Sequence, residues 1–342
     1  MRTAQYHGDG RITAVDHPAV APGLDEVRIA VAYTGICGTD LHVLHGSMNS
    51  RVSIPQPIGH EMSGTIESVG TDVTALSVGQ RVTVMPLLWC GECPACRAGN
   101  AHVCQNLDFV GIDTPGSLQE LWTVPASIVV PVPEQVSLRD AALIEPLAVA
   151  CHDVARSRLT AGETAVVIGG GPIGQLIALV ARSIGATVIL IEPSDERRAF
   201  AAEHGAQVID PMAEDAAAIV EQATGGAGAD VVFEVAGAEV TALTSVDYAR
   251  VRGRVVIVAI HAQPPPMNLH RVFWRELEII GTRVYERADF DHAIELLAGG
   301  LVPVSDIVTD VLPLDRTLDA FHLLERGGAM KLLIDLRKED AS

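Results

Sequence analysis

The 342-residue chain carries 24 basic and 43 acidic side chains, a formal charge of −19. That length provides for two domains with separate cores, and the acidity excludes nucleic acid and anionic membrane surfaces as partners. The N-terminal stretch MRTAQYHGDGRITAVDHP has no apolar core of signal-peptide length, so a cytoplasmic location is expected.

Residues 1 to about 136 hold short apolar runs broken by Gly and Pro: EVRIAVAYTGI, SGTIESVG, GQRVTVMP, LQELWTVP and SIVVPVP. They predict a β-rich, barrel-like domain with long loops. Three segments in and after this region offer metal-binding chemistry. GICGTDLH contains Cys37, Thr39, Asp40 and His42; PIGHEMSG contains His60 and Glu61; ALIEPLAVACH contains Glu145. A cysteine, a histidine and a carboxylate leave one position of a tetrahedral zinc open, as a catalytic zinc requires. Each residue alone is more often a packed side chain than a ligand. Thr39 has a competing role as a helix cap, Asp40 is expected to fix local backbone, and His45 either lines a substrate pocket or sits on the surface.

Between these segments lies CGECPACRAGNAHVC, with Cys90, Cys93, Cys96 and Cys104 drawn from a total of six cysteines. The C-x2-C-x2-C-x7-C spacing suits thiolates converging on one structural zinc. The alternatives are a redox C-x-x-C pair or unrelated buried thiols. With four thiolates on the ion no position remains for substrate, so this lobe would staple a loop rather than react. Cys151, on an apolar helical run, reads as a small core residue.

Residues 164 to 198 then read as strand Ala165–Ile168, a glycine turn, helix Ile173–Ser183, strand Thr187–Ile191 and a new helix start. The uncharged run at 164–181 is long enough to span a membrane, but GGGP in its middle argues against a lipid-exposed helix. Gly169, Gly171 and Gly174, with Pro172 and Ile173 between them, fit G-x-G-x-x-G, which lets a pyrophosphate approach a helix N-terminus. The plainer alternative is an ordinary glycine-rich βα turn. Glu192 ends the second strand, where a carboxylate accepts ribose hydroxyls and repels a 2′-phosphate, so NAD is preferred over NADP. Arg197 and Arg198 follow and would partly offset that repulsion. Strands at Gln207–Ile209, Val231–Val235 and Arg254–Ala259, with helices at Glu214–Ala223 and Val240–Ala249, extend a doubly wound parallel sheet. Helices Asp291–Ala298 and Thr317–Glu325 and a last strand, Lys331–Asp335, are expected to rejoin the first domain. The predicted fold is thus α/β, with a β-rich domain from 1–147 and 288–342, a dinucleotide-binding domain at 148–287, and a ligand cleft between them.

GHEMSGTIESVG with Gly59, Gly64 and Gly70, the CGTD segment, the four-cysteine lobe and GGGPIG together resemble the zinc-dependent medium-chain dehydrogenases. That family pairs a GroES-like catalytic domain with a Rossmann domain, and the likeness runs along essentially the whole chain. Glu145, in EPLAVACH, is similar to the sorbitol, 2,3-butanediol and threonine dehydrogenase branch. The resemblance implies two zinc ions per chain and a homodimer or homotetramer, with the VFWRELEIIGTRV segment as a pairing edge. It implies that Cys37 and His60 hold the catalytic zinc with Glu61 or Glu145, that Thr39 takes the alcohol proton, and that His42 passes it to solvent. Arg283 and Tyr285, with His45, fall where substrate contacts are expected. The implied substrate is a small polyol or vicinal diol oxidised to a ketose; threonine and 2,3-butanediol are the alternatives, and a non-catalytic NAD-binding sensor or scaffold is a remote one.

Overall fold

A computed structural model describes residues 1–261 and 263–337. The chain divides into two compact units, Met1–Glu145 together with the chain from Glu286 onward, and Pro146–Tyr285. The breaks therefore fall at 145/146 and 285/286 rather than at 147/148 and 287/288. Among the described residues no helix is long and apolar enough to cross a membrane.

The first unit is built on a seven-stranded sheet. Its centre is the strand Glu26–Gly35, which pairs antiparallel with Glu61–Val69, with Leu121–Pro125 and with the last strand, Lys331–Asp335. Alternate side chains of these strands point to one face, and Val27, Ile29, Ile66, Trp122 and Val124 are buried there. At roughly 1.5–3 kcal/mol per fully buried large apolar side chain, such a layer is the main stabilising term of the unit. Arg2–Tyr6 and Ile12–Asp16 form a hairpin and Val308–Pro313 a further strand parallel to Lys331–Asp335, none of which the apolar pattern marks. In Val308–Pro313 the register shifts between Val308 and Asp310, and this irregularity breaks the two-residue alternation.

The second unit is a six-stranded parallel sheet. In space the strands run Gln207–Ile209, Thr187–Ile191, Thr164–Ile168, Ala229–Glu234, Ala249–Ile257, Glu278–Gly281. Numbered along the chain, that order is 3-2-1-4-5-6, the Rossmann arrangement, with its reversal between Thr164–Ile168 and Ala229–Glu234. Val166, Ile189, Val232 and Val255 lie in one buried cluster, which is why these strands read as continuous apolar runs rather than alternating ones. Helix Pro172–Ser183 buries Leu176, Ile177 and Val180. Ligands of such sheets lie beyond the carboxyl ends of the strands, beside the reversal.

Candidate active site

In the lobe at 90–104 the four sulfurs converge. Cys93 Sγ lies 3.5 Å from Cys96 Sγ and 3.7 Å from Cys104 Sγ, and Cys104 Sγ lies 3.5 Å from Cys90 Sγ. Four thiolates bound tetrahedrally at about 2.3 Å stand about 3.8 Å apart, so the cluster has the dimensions of a zinc cage. Backbone N–H groups of Cys93, Cys96 and Asn106 point at the sulfurs of Cys90, Cys93 and Cys104 at 3.3–3.4 Å. The N–H groups of Cys96 and Gln105 bring the Cys93 thiol down to about 6, whereas burial and neighbouring sulfurs push Cys96 up to about 12.

A different set assembles in the same unit from distant segments. Ligand atoms of Cys37, His60 and Glu61 all lie within 4.8 Å of one another. Cys37 is the N-cap of helix Gly38–Leu44: its sulfur accepts from Thr39 N at 3.5 Å and its own N–H donates to Asp40 Oδ2 at 2.9 Å. Glu61 opens the strand Glu61–Val69 opposite Gly35, where an added Cβ would stand 2.2 Å from Glu61 Oε2. Only glycine leaves room for that carboxylate.

Asp40 Oδ1 faces His60 Nδ1 at 3.5 Å, the geometry by which a carboxylate orients a metal-binding imidazole through its other nitrogen. The ring also meets the edge of Phe109, with centroids 5.1 Å apart. Burial alone would discharge His60, but Asp40 and Cys37 outweigh it and hold the imidazole well above the usual histidine range. With Nδ1 turned to Asp40, the other ring nitrogen of His60 is left for a metal, and a thiol, an imidazole and a carboxylate with ligand atoms within 4.8 Å of one another make the donor set of an open zinc site, so the residues fit that metal.

Glu145, in the first turn of Ile144–Ser157, is buried but stands outside this group. The group that meets the site instead is Lys331, a residue the sequence reading passes over. The Lys331 side chain is 3% exposed; its Nζ donates to Glu61 Oε1 at 2.5 Å and to Ile36 O at 3.0 Å. Burial works against its charge, but Glu61, Cys37 and Glu145 raise its pKa above the ordinary lysine value. A lysine opening the otherwise apolar KLLI run was the available signal, for a charge at an inward strand position calls for a partner.

Thr39 is half-buried within the helix; the cap is made by Cys37 and Asp40, and the Thr39 hydroxyl makes no hydrogen bond among the described residues. His42 lies exposed in the last turn of the same helix. His45 is a surface residue, its side chain 58% exposed and ion-paired with Glu325. Arg283 is exposed whereas Tyr285 is fully buried, so the two present no common surface. Cys151 is buried in its helix.

In the second unit the glycine turn has the shape its pattern implies. A Cβ on Gly174 would stand 1.9 Å from Gly169 O, so strand and helix approach at a distance no other residue allows. Gly171 caps helix Pro172–Ser183 with no side chain in front of the open N–H groups. These features fit a pyrophosphate at the helix N-terminus. Glu192, buried at the end of Thr187–Ile191, accepts from Gly170 N at 2.6 Å and Ser194 N at 2.9 Å, one bond to each carboxylate oxygen, and each keeps a lone pair for a ribose hydroxyl. Arg197 Nη1 stands 4.0 Å from Glu192 Oε2. Arg198 turns instead to Glu192 O, Asp195 and Asp210.

Residues 23–134 match the alcohol dehydrogenase GroES-like domain, and residues 172–299 match zinc-binding dehydrogenase. The chain is 52% identical over 340 residues to a 2-dehydro-3-deoxy-L-galactonate 5-dehydrogenase of Pseudoalteromonas atlantica, covering 99% of this chain and 100% of that one. It is 34% identical to a sorbitol dehydrogenase of Halalkalibacterium halodurans, over 96% of each. A zinc-binding dehydrogenase structure from Sinorhizobium meliloti, bound to NADP, matches with a TM-score of 0.92 at 31% identity, over 98% of each chain.

Proposed function

The chain belongs to the zinc-dependent medium-chain dehydrogenases of the alcohol dehydrogenase superfamily, and on that premise we propose that this oxidoreductase takes a hydride from a secondary alcohol carbon of a sugar acid and passes it to NAD. The observation that carries the reaction class is the mixed donor set of Cys37, His60 and Glu61. It would hold one zinc, and Cys90, Cys93, Cys96 and Cys104 a second, closed one. Zinc at the mixed set supplies Lewis-acid polarisation of the alcohol oxygen.

The chain's own groups do the rest. Asp40 orients His60, and Lys331 holds Glu61. Thr39, two residues past Cys37, accepts the alcohol proton, and exposed His42 hands it to solvent. The carbinol C–H bond breaks with its electron pair leaving for the nicotinamide, so the alcohol becomes a ketone and NAD becomes NADH. The placement of Glu192 supports NAD over NADP, because its charge opposes a 2′-phosphate. The NADP in the Sinorhizobium meliloti relative makes this preference a point to measure.

Full-length identity of 52% to a sugar-acid dehydrogenase favours such a substrate over the small neutral polyols expected from the motifs. The neutral polyols stay as a second reading on the 34% likeness to a sorbitol dehydrogenase. A homo-oligomer belongs to the same proposal: Glu278–Gly281 is an edge strand with Ile279 exposed, and Phe273 and Trp274 are exposed just before it.

The test is absorbance of the reduced cofactor with zinc-loaded enzyme. Substrates would be 2-dehydro-3-deoxy-L-galactonate, sorbitol, xylitol, erythritol, 2,3-butanediol and threonine, each with NAD and with NADP. The highest kcat/KM is expected for the sugar acid with NAD. Turnover confined to threonine or to 2,3-butanediol would overturn the substrate assignment, and preference for NADP would overturn the role given to Glu192.

A further inference from the structure

One buried acid–base pair lies outside the machinery described so far. Glu234 is the last residue of the Ala229–Glu234 strand, its side chain fully buried, and His261 lies just past the end of the neighbouring strand with its side chain 11% exposed. Glu234 Oε1 accepts from Gly237 N at 2.9 Å and from Thr241 Oγ1 at 2.7 Å, and Oε2 lies 3.1 Å from His261 Nε2. Three donors converge on one carboxylate, so Nε2 is the nitrogen that carries a proton. In the neutral ring that assignment makes Nδ1 the acceptor, and no hydrogen bond to Nδ1 occurs among the described residues.

Position gives the pair its meaning. Ile168, which leads into the glycine turn, is the register partner of Glu234, and Val235 N donates to Ile168 O at 3.0 Å. Glu234 and His261 thus stand at the carboxyl edge of the sheet, on the opposite side of the strand-order reversal from Glu192. A dinucleotide bound across that reversal lays its adenosine half toward Glu192 and its nicotinamide half toward the ends of Ala229–Glu234 and Ala249–Ile257. A histidine held there by a buried carboxylate offers, in its neutral form, a fixed acceptor beside the place where such a ligand's hydroxyl and amide donors would lie.

We propose that His261, with its tautomer and orientation set by Glu234, binds the nicotinamide half of the cofactor by accepting at Nδ1 a hydrogen bond from the adjacent ribose hydroxyls or from the carboxamide. The inference rests on the dinucleotide-binding reading of this unit and assigns Glu234 a positioning role.

Calorimetric titration of the zinc-loaded protein with ADP, ADP-ribose and NADH tests it, because these ligands add the second ribose and then the nicotinamide in turn. In His261→Ala the expected result is unchanged binding of ADP and roughly 3- to 10-fold weaker binding of NADH, the effect of one hydrogen bond. Matching weakening of ADP-ribose would assign the contact to the ribose; intact ADP-ribose binding would assign it to the carboxamide. Glu234→Gln, which keeps the shape but frees the tautomer, should weaken NADH in the same direction. Equal weakening of all three ligands, or of none, would overturn the proposal. Failure of the wild-type protein to bind any of the three would instead overturn the dinucleotide reading beneath it. A second His261 variant, His261→Asn, guards against misfolding, since it should recover part of the NADH affinity only if an acceptor at this place is what matters.

Discussion

The two metal-compatible clusters of the first unit are built in opposite ways. The lobe at 90–104 takes four like ligands from fifteen consecutive residues and surrounds their sulfurs with local N–H groups. The other takes a cysteine, a histidine and a carboxylate from two segments and neutralises the carboxylate with a lysine 270 positions away. A closed set of four thiolates has no position left for chemistry, so its value lies in crosslinking a loop; a mixed set of three keeps one open. The second arrangement needs a carboxylate, an imidazole and a thiolate held close together away from water, and that demands long-range support.

The largest effect that would separate the two roles is expected at the mixed set. Cys37→Ser should lower kcat/KM roughly a thousandfold or more. Metal analysis should show one zinc lost, with little change in the thermal midpoint. Cys93→Ser should do the reverse: loss of a structural zinc should lower the midpoint by roughly 10 °C, with activity per folded molecule kept. If both variants affected stability and turnover alike, the division of labour between the clusters would fail.

Lys331→Met sharpens the contrast further, since it strands the Glu61 carboxylate in a buried place. Denaturant unfolding should show a loss of about 3–5 kcal/mol, much of it restored by Lys331→Arg. The pKa of Lys331 is raised in the folded protein above its ordinary 10.5, so its contribution is complete below that value and is lost only as pH rises through the elevated one. Lys331 is charged in the wild-type protein throughout about pH 6 to pH 9, so the deficit of Lys331→Met should be largest at the upper end of this range and shrink toward about pH 6 as the stranded Glu61 carboxylate takes up a proton. A deficit absent at about pH 9 would mean that Lys331 is not charged beside Glu61.

The smallest change is expected at His45. Its ion pair with Glu325 is exposed, so His45→Ala should alter the unfolding free energy by less than about 1 kcal/mol and leave kcat/KM within about twofold. A larger fall in turnover would restore His45 to the substrate pocket.

Contacts between neighbours in the chain are the ones a linear pattern records. The four-cysteine spacing, the glycine turn from Gly169 to Gly174 and the acid at Glu192 are legible because each group meets its partners within a few residues or across one βαβ unit. The buried strands of the parallel sheet are legible for the same reason, as continuous apolar runs bounded by turns. Tertiary structure alone decided which carboxylate joins Cys37 and His60, because the pairing of Gly35 with Glu61 sets that contact and Glu145 lies outside it. It also placed Lys331 against Glu61, set Asp40 on His60, sent His45 to the surface and joined His261 to Glu234. Strand register and the meeting of distant segments depend on how whole faces pack, and a linear pattern carries no direct mark of that.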